Sequence, residues 1–203
     1  MRYRLQSLAP DLSLALDQLL LAQGHERAQT KAHADALVVG LGDIGFDGVS
    51  VVDVAEDAWS AGLNSIRAAF FAVRDLAAAL LDRGSPGRVV ILVDPPAVRV
   101  AEGCLVSAVA GAFLTTAAQV AAVELAPRRI AVNVLVCGWT APAPSALAAA
   151  TPLQRLIDPD ELAAVCHFLL SDAASAVTGA VVIADGGWSI TKSTAPNPFR
   201  SEQ

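Results

Sequence analysis

The sequence has few basic residues, and this scarcity limits the partners that it can bind. Its 203 residues include 14 Lys and Arg against 20 Asp and Glu, which gives a formal net charge of -6. Lysine occurs only at Lys31 and Lys192. Nucleic-acid binding depends on clustered Lys and Arg side chains that neutralise phosphates. The composition therefore argues against nucleic acid as a partner.

Cysteine and histidine are scarce and scattered. Cys104, Cys137 and Cys166 stand far apart in apolar runs, and no Cys-x-x-Cys pair occurs. An odd number of separated thiols is typical of reduced, buried cysteines in the cytoplasm and not of a disulfide framework. The three histidines share no ligand spacing, so the sequence predicts no metal site and predicts His167 as a packed helix residue.

Long uncharged runs are nearly absent as well. Only Cys104 to Val123 lacks charge over about the length of a membrane span, and it is mostly Ala and Val with Ser107 and Gln119 inside it. We expect a helix buried within protein there. Near the N-terminus, Asp11 and Asp17 interrupt the apolar stretch, so no signal peptide is expected. These features predict a cytoplasmic protein without membrane association.

Hydrophobic periodicity divides the chain into short β-branched runs that alternate with long stretches rich in Ala and Leu. Apolar residues make up 54% of the sequence, enough for a large core. The alternation predicts an α/β fold with a parallel sheet and crossover helices. The predicted strands are Arg2 to Ser7, Ala34 to Val39, Arg88 to Val93, Ala131 to Val136 and Val181 to Ala184. The predicted helices are about Asp11 to Gln23, Ala55 to Leu81, Glu102 to Ala126 and Pro159 to Ser171.

The domain organisation predicted from this pattern is simple. No repeat or internal linker divides the chain, so residues 1–190 are expected to form one domain. The tail, residues 191–203, is polar and holds two prolines.

Several segments, in order and with compatible spacing, resemble the short-chain dehydrogenase/reductase family. Asp35 to Val39 with Gly40 and Gly42 is similar to that family's fourth strand and its turn. Val123 to Asn133 is similar to the end of its long catalytic helix and the strand that follows, and Asp185-Gly186-Gly187-Trp188 is similar to a segment near its C-terminus. The resemblance covers roughly residues 34–190. It implies a Rossmann-like parallel sheet with flanking helices.

The resemblance also implies that the family's first βαβ unit, which binds the cofactor, is missing. Only about 33 residues precede the fourth-strand segment, which leaves room for one strand and one helix. The family's glycine-rich turn, which takes the cofactor pyrophosphate at a helix N-terminus, has no counterpart there. We therefore expect no bound cofactor.

A literal G-x-G-x-x-G stands at Gly40 to Gly45, directly after a predicted strand. A dinucleotide fingerprint needs a helix directly behind it. The residues that follow, Phe46 to Asp53, are β-branched and contain glycine, which makes a poor helix start. The pattern favours the fourth-strand turn, and a nucleotide-binding loop stays the alternative.

By the same resemblance, the family's catalytic serine, tyrosine and lysine fall on Asp94, Ser107 and Gly111. In the family, the lysine ammonium lowers the pKa of the tyrosine phenol four residues away, and the phenol exchanges a proton with the substrate. A serine hydroxyl titrates far above the tyrosine value of about 10, and glycine supplies no charge. We expect no catalytic, cofactor-binding or metal-binding residues. Asp94, which precedes two prolines, fits a turn initiator as well as a general acid.

Three functions are compatible with these residues. The first is a non-catalytic subunit that assembles with an active NAD(P)-dependent member of the family, of hydroxyacyl or ketoacyl dehydrogenase type, or with itself. Its interface is predicted on the helix at residues 102–126, whose outer face includes Leu105, Val109, Ala112 and Val120. The second is an NAD(P)-dependent oxidoreductase with a relocated site. The third is a regulatory protein that binds a small molecule in the vacated crevice.

Overall fold

The computed structural model describes residues 1–42 and 48–191, without the side chain of Lys31. Most of the predicted tail at 191–203 and the second half of the Gly40 to Gly45 segment thus lie outside the described residues.

Within the described residues, six parallel strands form one sheet in the order β2-β1-β3-β4-β5-β6. The strands are β1 (Arg2–Gln6), β2 (Glu26–Arg27), β3 (Ala36–Val39), β4 (Gly87–Val93), β5 (Ile130–Cys137) and β6 (Val181–Ala184). The helices are α1 (Pro10–Ala22), α2 (Glu56–Arg83), α3 (Leu105–Leu125), α4 (Ser145–Ala149) and α5 (Pro159–Leu170). The predicted α/β class with a parallel sheet and flanking helices is confirmed.

The sheet is covered on both faces. Strands β4 and β5 are almost continuously apolar and buried, as central strands of a parallel sheet are. Helices α2 and α3 pack on one face, where Leu76, Leu114 and Val89 share a core. Helices α1 and α5 pack on the other, where Leu16 and Leu169 meet β3 and β4. Each helix therefore places an apolar stripe against the sheet.

The expectation that the first βαβ unit is missing is corrected by this topology. Strand β1 pairs with β3 on one side and with β2 on the other, and α1 crosses over between β1 and β2. Leu12, Leu16 and Leu20 bury the apolar stripe of α1 in the core. The unit is present but reduced, because β2 has two residues and only eight residues separate it from β3.

Polar contacts hold this reduced unit together. The Tyr3 hydroxyl on β1 donates to the Asp17 carboxylate on α1 at 2.9 Å, and the Arg27 guanidinium on β2 reaches the same carboxylate at 2.6 Å. Burial, followed by the hydrogen bond to Asp17, raises the pKa of the Tyr3 hydroxyl above its usual range. The three elements are therefore tied through one carboxylate.

Helix α3 with the turn behind it, Leu105–Arg128, is the one helix among the described residues that is long and apolar enough to cross a membrane. Its inner face, which includes Ser107 and Leu114, is buried against the sheet and the turn after β4. Its outer face is exposed at Val109 and Val120. The predicted buried helix is thus buried on one side within this chain.

Helix α5 begins with a complete capping box. The Asp158 carboxylate accepts from the Asp160 amide at 3.0 Å, and the Glu161 carboxylate accepts from the Asp158 amide at 3.0 Å. Pro159 occupies the first helical position, where its missing N–H costs nothing. The Arg155 guanidinium also donates twice to Glu161, at 2.7 Å each. These hydrogen bonds from Arg155 and Asp158 lower the pKa of Glu161 to about 2.

This lowered pKa predicts a pH-dependent contribution to stability. Glu161 titrates at about 2 in the folded chain and at 4.5 normally, so its contribution is full above pH 4.5 and is lost as the pH falls toward 2. Glu161→Gln should therefore lower the urea midpoint at pH 7, and the difference from the wild type should shrink below pH 4.5. Glu124→Gln, at an exposed carboxylate on α3, is the control. A difference that stays constant from pH 7 to pH 3 would contradict the assignment.

Candidate functional site

A crevice opens at the carboxyl ends of the strands, at the point where the order of the strands in the sheet reverses. From β1 the chain moves outward to β2, whereas β3 to β6 follow on the other side, so the switch lies between β1 and β3. Ligands of open α/β sheets bind at such switch points. The crevice has a volume of about 440 Å³. It is lined by residues 7–12 after β1, 40–42 after β3, 92–94 at the end of β4, 137–143 after β5, and Leu162 of α5.

The turn that opens into α1 is poorly suited to hold a pyrophosphate. Phosphates bind at helix N-termini through free backbone amides, often presented by glycines. Here Ala9 precedes the helix and Pro10, which has no N–H, is its first residue. The Asp11 carboxylate follows in the first turn, where it repels an anion. Of the described residues that line the crevice, none is Lys or Arg. The described residues of the crevice therefore do not fit a dinucleotide cofactor.

Gly40 and Gly42 serve a close approach between two turns. A Cβ on Gly40 would lie 2.6 Å from the Ser7 carbonyl oxygen, so only glycine allows this distance. The amides of Gly40 and Gly42 donate to the carbonyls of Gln6 and Ser7 at 3.0 and 2.9 Å. These contacts favour a structural turn, as the sequence predicted. Asp43, Ile44 and Gly45 lie outside the described residues.

Asp94 is the one member of the predicted catalytic set that lines the crevice. It follows β4 and precedes a 3-10 turn at Pro95–Ala97, and its carbonyl accepts from the Ala97 amide at 3.0 Å. This backbone bond is the turn-initiating role expected from the two prolines. The Asp94 carboxylate also contributes to the pKa of a nearby cysteine. Burial, the neighbouring Cys166 and Asp94 together raise the pKa of the Cys137 thiol well above its usual range, so this thiol is no ready nucleophile.

Ser107 and Gly111 lie behind the crevice wall and not on it. Ser107 is buried, and its hydroxyl donates to the Cys104 carbonyl at 3.4 Å. Gly111 faces the turn after β4, where a Cβ would lie 2.4 Å from the Ala97 Cβ and 3.5 Å from the Val93 Cβ. The space that a side chain at position 111 would need is filled by Ala97. Of these three positions, the structure brings only Asp94 to the crevice.

An aromatic cluster beside the crevice was missed by the sequence analysis. Trp139, which lines the crevice, meets Trp188 edge to face with ring centroids 4.9 Å apart. The Arg99 guanidinium lies 4.6 Å over the Trp188 ring and donates to the Trp188 carbonyl at 2.6 Å. Both tryptophans follow a glycine just after a strand, a signal that could have indicated the cluster. The C-terminal segment thereby packs against Trp139, a residue of the crevice wall.

Comparison with known proteins decides the family. A profile described as enoyl-(acyl carrier protein) reductase matches residues 26–189, most of the chain. The chain belongs to the short-chain dehydrogenase/reductase family. This family of oxidoreductases is the one that the ordered sequence segments resemble, so that identification is confirmed.

Individual relatives within the short-chain dehydrogenase/reductase family match only in part. An uncharacterized oxidoreductase of Methylorubrum extorquens is 41% identical over 86 residues, 36% of this chain and 35% of that protein. Cis-4-hydroxycyclohexanecarboxylate dehydrogenase of Sinomonas cyclohexanicum is 46% identical over 54 residues, 27% of this chain and 22% of that protein. The alignments thus span about a third of these relatives or less.

The fold likeness is more extensive than the sequence likeness. The structure of a candidate oxidoreductase from Escherichia coli K-12 superposes with a TM-score of 0.83 at 19% identity and covers 99% of this chain and 100% of that one. At this identity the match concerns the fold alone. It agrees with the Rossmann-like sheet described above.

The contact between Gly111 and Ala97 generates a prediction. Replacing a glycine in an exposed helix interior by alanine normally stabilises the fold by about 1 kcal/mol. Here Gly111→Ala should instead destabilise the fold by about 1–3 kcal/mol, because the new methyl group meets the Ala97 Cβ at 2.4 Å. Urea unfolding measures the difference.

A double variant isolates the cause of this destabilisation. In an Ala97→Gly background, Gly111→Ala should cost less than in the wild type, because the opposing methyl group is gone. A stabilising effect of Gly111→Ala in the wild type would show that position 111 is open and that a lysine could stand there.

Proposed function

We propose that this chain is a non-catalytic member of its family that assembles with an active NAD(P)-dependent dehydrogenase of hydroxyacyl or ketoacyl type, or with itself. The packing of Gly111 against Ala97 carries the proposal. It leaves no room for the family's lysine, and the buried Ser107 cannot replace the tyrosine as a proton donor. A chain built in this way keeps the fold without the proton relay.

The cofactor site supports the same proposal. Hydride transfer requires a bound nicotinamide, and the pyrophosphate of such a cofactor needs helix amides or cationic side chains. Pro10 and Asp11 stand where those amides would be, and Asp94 adds a second carboxylate to the crevice. Electrostatic repulsion and missing donors therefore disfavour NAD(P)H.

An oxidoreductase with a relocated site is the alternative that the family favours. Two matching relatives bear the names of an oxidoreductase and of a dehydrogenase. In such an enzyme, Gly40 to Gly45 would hold the nucleotide and Asp94 would transfer the proton. A third role, the binding of a small molecule in the crevice, would require neither a dinucleotide nor turnover.

Cofactor binding separates the first function from the second. The purified chain should show no saturable change in NADH or NADPH fluorescence up to millimolar cofactor, since neither the turn before α1 nor the described part of the crevice wall offers a phosphate site. An active family member measured in the same way is the positive control. A micromolar dissociation constant would overturn the non-catalytic assignment and favour the relocated site.

The interface proposed for assembly lies on the outer face of α2 and α3. The two helices pack closely because Gly62 has no side chain, and a Cβ there would lie 2.3 Å from the Val106 Cγ1. From Leu105 to Val123, α3 carries no charged residue. Apolar side chains exposed on these helices include Trp59, Leu63, Phe70, Val109, Ala112, Phe113, Val120 and Val123, while Leu105 is half-buried.

An exposed apolar surface of this kind marks an interaction site. The resembled family assembles through its corresponding pair of helices, so a second subunit of the same fold is the partner that fits. We expect the contact to bury at least about 1,000 Å². With the separated, reduced cysteines, such an assembly is proposed to be cytoplasmic.

Charge introduced on this surface should break the assembly. Val109→Asp or Val120→Asp would bury an unpaired carboxylate in the interface, at a cost of about 3–5 kcal/mol. Gel filtration with light scattering, on the chain alone and co-expressed with a complete family member from the same genome, should show a smaller mass for both variants.

Leu21→Asp is the matched control, because Leu21 on α1 is 55% exposed, like Val120 at 54%, but lies on the opposite face of the sheet. It should leave the mass unchanged. If both valine variants keep the wild-type mass, the interface lies elsewhere and the scaffold role loses its physical support.

A further inference from the structure

A groove lies at the opposite edge of the sheet from the crevice, where strands begin and helices α1 and α5 end. Its volume is about 950 Å³. His25, just after α1, and His167, in the last turn of α5, both line it. Their ring centroids are 5.9 Å apart with the ring planes inclined by 40°. We propose that His25 and His167 bind one divalent transition-metal ion of the Zn²⁺, Ni²⁺ or Cu²⁺ type.

The separation of the two rings suits a shared ion. A zinc–imidazole bond is about 2.0–2.1 Å, which places each ring centre about 3.2 Å from the ion. Two rings around one ion are then about 5.2 Å apart at a tetrahedral angle and about 6.4 Å apart when they face each other directly. The observed 5.9 Å lies within this range. The separation of the two rings is therefore compatible with one shared ion.

The helices hold the two histidines in place. The His25 amide donates to the Leu20 carbonyl at 2.9 Å, which fixes the turn after α1. Helices α1 and α5 pack side by side through Leu16, Leu20 and Cys166. The backbone positions of both ligands are thus set before an ion arrives, which reduces the entropy cost of binding.

Side chains of both charge signs line the groove, and His25 and His167 are the two ligands proposed from the chain. The negative ends of the α1 and α5 dipoles lie beside the site and favour a cation. The carboxylate of Asp35 pairs with Arg2 and Arg83, and that of Asp172 pairs with Arg88. Within residues 1–42 and 48–191, no third His, Cys, Asp or Glu joins the pair. Water completes the coordination, so imidazole-preferring ions are bound and oxygen-preferring Mg²⁺ is not.

Calorimetric titration of the untagged chain with Zn²⁺ tests the site. We expect one ion per chain, with affinity weakened on the order of tenfold or more by either His25→Gln or His167→Gln, because each removes half of the protein ligands. His33→Gln is the matched control, since His33 is exposed and bonded to Thr30 at 2.9 Å. It should bind as the wild type does. Mg²⁺ should give no saturable heat.

A measurement on the wild type avoids dependence on the folding of the variants. In proton NMR, sub-stoichiometric Zn²⁺ should shift or broaden the imidazole resonances of two histidines and leave the third unchanged. Zinc binding that persists in the His25→Gln/His167→Gln double variant, loss of binding in His33→Gln, or no zinc binding up to millimolar ion would overturn the proposal. Perturbation of all three histidines alike would do the same.

Discussion

Strands β4 and β5 carry apolar side chains toward both faces of the sheet, so neither face can be left to water. Helices α2 and α3 cover one face, and α1 and α5 cover the other. The buried Asn133 side chain in the centre of the sheet has hydrogen-bond partners. Asn133 on β5 donates to the Val177 carbonyl and accepts from the Ala180 amide, both at 3.0 Å, which fixes the approach to β6. The positions of the crevice and of the groove at the two strand ends follow from this layered core.

The helices cover the sheet less completely near β1. Tyr3 and Leu5 point into the α1 core, whereas Arg4 and Gln6 point to the other face and line a groove beside α2. This alternation fits a strand with one buried and one solvated face. Polar side chains therefore stand where the short connection from β2 to β3 supplies only a 3-10 turn at Lys31–His33. The sequence of β1 agrees with the reduced unit around it.

The same close packing that stabilises the sheet limits which side chain can stand at one position behind the crevice wall. Helix α3 approaches the turn after β4 so closely that position 111 accommodates only hydrogen, with the Ala97 methyl group on the other side. Proton relay in the resembled family needs long polar side chains on this helix face. A longer side chain at position 111 would have to displace Ala97. The outer face of α2 and α3 carries exposed apolar side chains, among them Val109 and Val120.

The sequence by itself determined the fold class, the parallel sheet and nearly all the strands and helices, because periodicity and ordered family segments are local signals. It also predicted Asp94 as a turn initiator and an uncharged outer face on α3. It missed β2, since two residues have no periodicity, and with it the βαβ unit that β1 and α1 complete.

Only the tertiary structure decided which distant residues meet. The place of β1 between β2 and β3 is set by long-range pairing, and the contact of Gly111 with Ala97 depends on how α3 crosses the turn after β4. His25 and His167 show no ligand spacing in the sequence, yet they come together where α1 and α5 end. Sequence spacing reports neighbours on one element, whereas a site assembled from separate elements depends on their packing.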